Sequence, residues 1–354
     1  MSEWRTNNFD VLRLVAASAV VLSHSFLVIQ GDDSREPLNI LSHNQATIGR
    51  VSVLVFFVVS GYLITQSWER SPNVWRFLRA RVLRIFPALL AVTLLCAFVL
   101  GPLVTDLPVG KYFSNSGPYV YITNTLALYP FLPTLPGVFT STPDESLVNQ
   151  PLWTLRFEFT FYLIVAILGI TRLLNAWVIC ILMVFSVLIL AVTHNIDPRL
   201  AGGLDFFKHF GAGMILYLVR DRLPIRAWLA VLCGFVLVVS LFTGGFNIIF
   251  SVFGAYLVFW YAFTRDVRHM PAARFGDLSY GIYIFAWPIQ QVLISNFPRM
   301  SWGENATLAL VITIPLAYTS WHLIEKRALK WKGRRPAPPN SDFGQSLPGS
   351  VSGP

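Results

Sequence analysis

Charge is scarce in this chain. Asp, Glu, Lys and Arg make up 13% of its 354 residues against 55% hydrophobic ones, and the mean hydropathy is +0.58. So little charge excludes a single soluble domain and indicates a polytopic membrane protein. Cysteine is scarce too. Cys96, Cys180 and Cys233 lie in apolar runs, with no CxxC pair and no Cys/His spacing suited to zinc, so neither a disulfide framework nor a metal site is indicated. The first apolar run lacks a small-residue cleavage site and is followed by many others, so it is expected to remain as a helix rather than leave as a signal peptide. No internal repeat is visible, which argues against transporter folds built on repeated halves. The net charge of +9 does not point to nucleic acid, because the basic residues fall in short clusters between apolar runs, as cytoplasmic loops do.

Apolar runs predict an all-α membrane helix bundle of about ten transmembrane helices. They cover roughly 9–29, 48–68, 85–105, 151–171, 174–193, 204–219, 227–243, 246–263, 277–295 and 306–325. Five arginines lie between Glu69 and Arg84, three between Arg220 and Arg226, three between Arg265 and Arg274, and six basic residues between Lys326 and Arg335. By the positive-inside rule these stretches, and with them both chain termini, are cytoplasmic; the loops 30–47, 106–150, 194–203 and 296–305 face outside. The apolar stretch 119–139 holds three prolines, and counting it as a span would invert every later loop. It is expected to be re-entrant or interfacial. Residues 1–335 then form one membrane-embedded domain, and 336–354, rich in Pro, Gly and Ser, a disordered cytoplasmic tail.

Ionisable residues inside spans are costly and suggest function, each with a partner to be named. Arg13 and His24 are eleven residues apart, about 1100° around a helix, so they share one face about 16 Å apart. Asp10, three residues before Arg13, is placed to pair with it, although Arg13 could also simply reach the interface. The ordinary pKa of an imidazole, near neutrality, would suit His24 to proton transfer. Arg76, Arg79, Arg81 and Arg84 crowd the inner mouth of a span, where guanidinium groups suit phosphates; contact with anionic lipid is the alternative. Glu158, with Arg156 beside it, enters a span from outside and needs a partner. Asp277, Ser279, Tyr280 and Tyr283 open a late span, where aromatic-belt packing is the simple explanation.

Five motifs in order resemble the acyltransferase 3 family of integral membrane acyltransferases. "FDVLRLVAASAVVLSH" is similar to its first helix, with Arg13 and His24 as the Arg and His separated by ten residues. "FFVVSGYLI", which contains Ser60, resembles its FFxxSGFL stretch, and "RFLRARVLRIFP" its Arg-rich loop. "PLWTLRFEFTFYL" resembles PLWSLxxExxFYL and places Glu158 at the family's acid, while "FGDLSYGIYI" resembles the late SYxxY segment. Ala286 stands where many members carry a histidine, so no catalytic role passes to that segment. The chain resembles the stand-alone form, without an appended hydrolase-like domain.

The resemblance implies an O-acyltransferase in a bacterial inner membrane, embedded in lipid. It would move an acyl group, most often acetyl, from cytoplasmic acetyl-CoA to a hydroxyl of a polysaccharide or lipid-linked saccharide. His24 would serve as base or acyl carrier, Arg13 would stabilise the oxyanion, Glu158 would orient His24 or the acceptor, and Arg76, Arg79, Arg81 and Arg84 would hold CoA phosphates. A transporter or flippase for a lipid-linked sugar or acyl donor would share the charged spans but change no covalent bond. Reporter fusions after Ser71, Pro143 and Gly333 are expected to read inside, outside and inside. A cytoplasmic signal at Pro143 would overturn this topology.

Overall fold

The computed structural model describes residues 7–129, 134–143, 147–193, 195–264 and 276–331. The expected disordered tail at 336–354 and the basic stretch Arg265–Arg274 lie outside the described residues. Eleven helices carry the architecture among the described residues: α1 (Phe9–Gln30), α2 (Ile48–Arg70), α3 (Val74–Val104), α4 (Gly117–Leu126), α5 (Gln150–Ile170), α6 (Ala176–Val192), α7 (Pro198–Leu218), α8 (Ala227–Thr243), α9 (Phe246–Phe263), α10 (Ser279–Asn296) and α11 (Trp302–Lys330). The only β pairing described is two isolated bridges, Thr105 with Val138 and Thr134 with Leu147.

Six of these helices, α1, α2, α3, α5, α9 and α11, are long and apolar enough to cross a membrane; α6 and α8 are apolar but stop at 17 residues. The apolar surface faces outward, as lipid requires: Trp177, Phe185, Val231 and Phe235 are all more than half exposed. Helix α4, at ten residues, is too short to span. It belongs to a connection that packs on the far half of α3, where Tyr112 Oη donates to the Ala97 carbonyl at 2.8 Å. Over its described residues, 119–139 therefore forms no spanning helix.

Long-range contacts fix the relative directions of the helices. The start of α1 meets the end of α9 through Asn8, whose side chain donates to the Tyr261 carbonyl, and it meets the start of α10 through Arg13 and Asp277. Arg84 near the start of α3 meets Glu325 near the end of α11. The opposite end joins Ser25 of α1 to Asn305 of α11 and Arg50 of α2 to Asp205 of α7. Arg70, Arg76, Arg79, Arg220, Arg222, Lys326 and Arg327 consequently gather at one end, called the basic end below.

Helices α2 and α7 touch backbone to backbone. A Cβ on Gly61 would sit 1.9 Å from the Phe210 carbonyl oxygen, and one on Gly213 would sit 2.0 Å from that of Val58. Only glycine permits this approach, the small-residue contact common where no hydrophobic effect drives helices together.

A span at 151–171 predicts a helix entering directly from the far end. Instead, residues 147–154 first descend alongside α10. The Leu147 carbonyl accepts from Trp287 Nε1 (2.9 Å) and Gln291 Nε2 (3.1 Å), Asn149 Nδ2 donates to the Ile284 carbonyl (2.8 Å), and Tyr283 Oη donates to the Pro151 carbonyl (2.8 Å). Pro288 explains why this docking is possible. Lacking an N–H, it leaves the carbonyl four residues earlier, Ile284, without its helical donor. The Asn149 amide supplies the missing bond where neither water nor lipid could.

Asn149→Leu should therefore destabilise the purified protein by about 1–3 kcal/mol, the cost of stranding a buried carbonyl. Pro288→Ala should recover part of the loss by restoring the helical N–H. Thermal unfolding of both single variants and the double variant in detergent checks this, and strictly additive effects would contradict it.

Candidate active site

A cavity of about 530 Å³ opens between α1, α2, α3, α5, α10 and α11 at the basic end. Its wall includes Asp10, Arg13, Ser60, Arg81, Arg84, Glu158, Ser279, Tyr280 and Tyr283, all singled out in the sequence, together with Asp277. Segments far apart in the chain thus converge on one interior space, of a size typical for small-molecule sites.

Asp277 is the electrostatic centre of this wall. One carboxylate oxygen, Oδ2, accepts from Arg13 Nη1 at 2.5 Å and from Arg84 Nη2. The other, Oδ1, accepts from Ser279 Oγ at 2.5 Å and from the Ser279 backbone N–H at 3.3 Å. Arg84 also donates to Glu325 at 3.2 Å and lies between the Tyr280 and Trp321 rings, 5.6 and 5.5 Å from their centroids. Two cations and two anions interlock, so this node carries no net charge. Gly276 turns the chain into this node at φ +89°, where a Cβ would collide with Trp321 Nε1 at 2.0 Å.

Several expectations are corrected here. The spacing of Asp10 and Arg13 predicts a local pair, but Arg13 binds Asp277, and Asp10 stays exposed at the cavity rim. A buried carboxylate needs the cation more than a hydrated one does. The arginine cluster is also divided. Arg76 and Arg79 are exposed on one face of α3, whereas Arg81 and Arg84, five residues further on in each case, are turned about 140° toward the cavity. Arg84 is already neutralised by Asp277 and Glu325. Arg81 is not: its Nη2 donates to Ser67 at 3.2 Å, its guanidinium lies near the Phe77 and Tyr162 rings, and its buried Nε has no hydrogen-bond partner.

Glu158 accepts from Ser60 Oγ at 3.3 Å and from Tyr162 Oη, one helical turn along. It therefore does not orient His24. Because the chain descends before α5 turns regular, Glu158 lies deep in the bundle beside the arginine-bearing part of α3. Tyr280 and Tyr283 line the cavity with their rings, while their hydroxyls brace it by bonding to the carbonyls of Ile85 (2.9 Å) and Pro151 (2.8 Å).

His24 does not line the cavity. It shares the Arg13 face of α1 but lies farther from the basic end, half-buried, with its ring edge-on to Trp287 at 4.9 Å. Trp287 in turn holds Leu147, so His24 sits where the descending segment docks. Among the described residues no hydrogen bond engages its ring nitrogens. The Arg13–His24–Glu158 set is thus divided between the cavity and a point beyond it.

Sequence reasoning missed Glu325 and Tyr162 and undervalued Asp277. Glu325 could have been found by asking which anion answers the arginines, since it stands just before a basic run at the end of a span. Also missed is a second polar cluster at the opposite end, where Asp205 binds Arg50, Lys208 and Asn247.

A family model described as an acyltransferase domain, acyltransferase 3, matches residues 6–322. The chain belongs to this family. An O-acetyl transferase of Shigella phage Sf6 is 32% identical over 342 residues, covering 92% of this chain and 96% of the phage protein. Nodulation protein 10 of Rhizobium leguminosarum bv. viciae is 29% identical, covering 93% and 95%. A protein of Komagataeibacter xylinus named as a membrane-bound transacylase is 25% identical, covering 94% and 85%. No solved structure matches the chain significantly. The cavity accordingly lies in a multi-pass membrane acyltransferase.

Asp277→Asn should cost about 3–5 kcal/mol, because it leaves two buried guanidinium groups facing a neutral amide. Adding Glu325→Gln to it should cost more than the sum of the single effects, because Arg84 then loses both of its anions. Denaturant unfolding of the four proteins tests the coupling; independent effects would remove Asp277 from the centre of the wall.

Proposed function

We propose that the protein transfers an acetyl group from cytoplasmic acetyl-CoA to a hydroxyl of a cell-surface or exported saccharide across a bacterial inner membrane. The observation that carries this reading is the cavity itself: a 530 Å³ space entering an acyltransferase bundle from its basic end, with an unpaired buried guanidinium nitrogen on its wall. Ten spans with both termini cytoplasmic, as the basic loops of the sequence predict, would put that end where acetyl-CoA is available.

The donor enters at the basic end. Arg76 and Arg79 at the outer rim of α3 meet its phosphates in water, and Arg81 meets it inside, where a permanently charged fork binds anionic oxygen well. Arg84 acts on the donor only indirectly, by holding Asp277 and through it Arg13. The thioester is carried inward along the α1 face that bears Arg13. At its inner end the neutral imidazole of His24 takes the proton of the acceptor hydroxyl, and the hydroxyl oxygen attacks the thioester carbonyl. The carbon–sulfur bond breaks, the acetyl ester forms, and the thiolate takes the proton from the imidazolium. Arg13, with donors to spare beyond its Asp277 bond, attracts the anionic donor at the start of this path, about 16 Å before His24 on the same face. The acceptor approaches from the opposite end, where the descending segment 147–154 meets His24 through Trp287.

His24→Gln should abolish acetylation at normal expression, since it keeps hydrogen bonding but loses basicity. Arg81→Ala should raise the acetyl-CoA dissociation constant about tenfold or more, the worth of one charge-assisted hydrogen bond. NMR of surface polysaccharide O-acetyl groups and calorimetry with acetyl-CoA check the two. Near-normal acetylation with His24→Gln would make the histidine a packing residue.

A further inference from the structure

The segment that lines the cavity has a second polar side. Thr154, Leu155 and Glu158 face the cavity, whereas Trp153 and Arg156 face away from it into a groove shared with α3 and α4. Residues 156 and 158 are about 200° apart on the helix, so one turn supplies both surfaces.

Two buried polar atoms in this groove lack hydrogen-bond partners: Arg156 Nε and Thr125 Oγ1, the latter on a residue only 3% exposed. Among the described residues Arg156 makes no ion pair; its guanidinium lies 4.5 Å from the Phe157 ring centre. The charges nearest to it, Arg199 and Asp197, oppose each other, and the Asp197 carboxylate is occupied in capping α7 through the Arg199 and Leu200 N–H groups. A partly buried cation with no counter-ion among the described residues leaves room for a ligand to neutralise it.

The groove is small, about 10 Å³, roughly the room that one water-sized group needs. It can take a single oxygen, with the rest of the ligand outside it. Outside lie Tyr129, 65% exposed, and Trp153, 36% exposed, two aromatic surfaces against which a larger group can rest. An oxygen that must accept from a guanidinium and a hydroxyl, attached to a body too large to enter, at a lipid-facing groove in the half of the bundle away from the basic end, describes a phosphate on a membrane lipid. We propose that Arg156 and Thr125 bind the phosphate of such a lipid, whether the carrier of a lipid-linked acceptor or a bulk anionic phospholipid. The first source rests on the acyltransfer reading above; the site does not.

Native mass spectrometry of the protein in a maltoside detergent, with polyprenyl monophosphate as probe, tests this. The wild type and Arg222→Gln, which removes an exposed charge at the basic end, should retain the lipid equally. Arg156→Gln and Thr125→Val should each retain about tenfold less, and Arg156→Lys and Thr125→Ser should recover part of it. Competition by phosphatidylglycerol at equal concentration would assign the site to bulk lipid, and resistance to it would assign it to the carrier. Equal retention by Arg156→Gln and Arg222→Gln would overturn the site. Acetyl-CoA binding on the same preparations separates this result from the functional reading, because loss of donor binding by the wild type would sink acyltransfer from acetyl-CoA while leaving the lipid adduct intact.

Discussion

One carboxylate organises the inner half of this protein. Asp277 joins α1 through Arg13, α3 through Arg84 and, through Arg84, α11 at Glu325. In a low-dielectric bundle none of these groups could stand alone, since removing any one leaves the node with an uncompensated charge. Their mutual neutralisation lets two of the arginines, Arg13 and Arg84, line the cavity without adding net charge to it. It also distinguishes the arginines functionally: those absorbed by the node set the shape of the wall, and Arg81 keeps bonding capacity for a ligand.

A second constraint comes from a missing proton. Pro288 interrupts α10 in its middle, and the carbonyl it frees is satisfied by Asn149 from a segment that would otherwise have remained a loop. A local covalent feature of one helix is thereby converted into a tertiary position for another. The descending segment brings Thr154 and Glu158 to the cavity on one side and Trp153 and Arg156 to a groove on the other.

Much of this was legible from residue order alone. The apolar runs located the helices because lipid forces backbone hydrogen bonds to close within each segment. The arginines, Glu158 and the late tyrosines announced themselves because polar groups in apolar runs are expensive. Pairing was not legible in the same way. Arg13 passes over Asp10, three residues away, for Asp277, 264 residues away, because burial rather than proximity in the chain decides which carboxylate needs the charge. Nor did the shared helix face of Arg13 and His24 mean a shared site, since a face is a direction and the cavity ends before it reaches the histidine. The depth of Glu158 was hidden because a period of 3.6 residues shows that a helix exists but not where along the bundle it begins.

That starting depth carries an electrostatic consequence. A helix that crosses a membrane from surface to surface leaves the free N–H groups of its first turn at the headgroups, where water dissipates their partial positive charge. The regular part of α5 begins at Leu155, inside the bundle, after a tighter turn at Gln150–Thr154 in which the Leu152 carbonyl accepts from the Leu155 N–H, and Thr154 offers no side-chain cap. The positive pole of the macrodipole is therefore delivered into the protein interior, with Glu158 in the first turn as the anion placed to meet it. The backbone of α5 thus supplies the carboxylate with a counter-charge that no side chain has to carry.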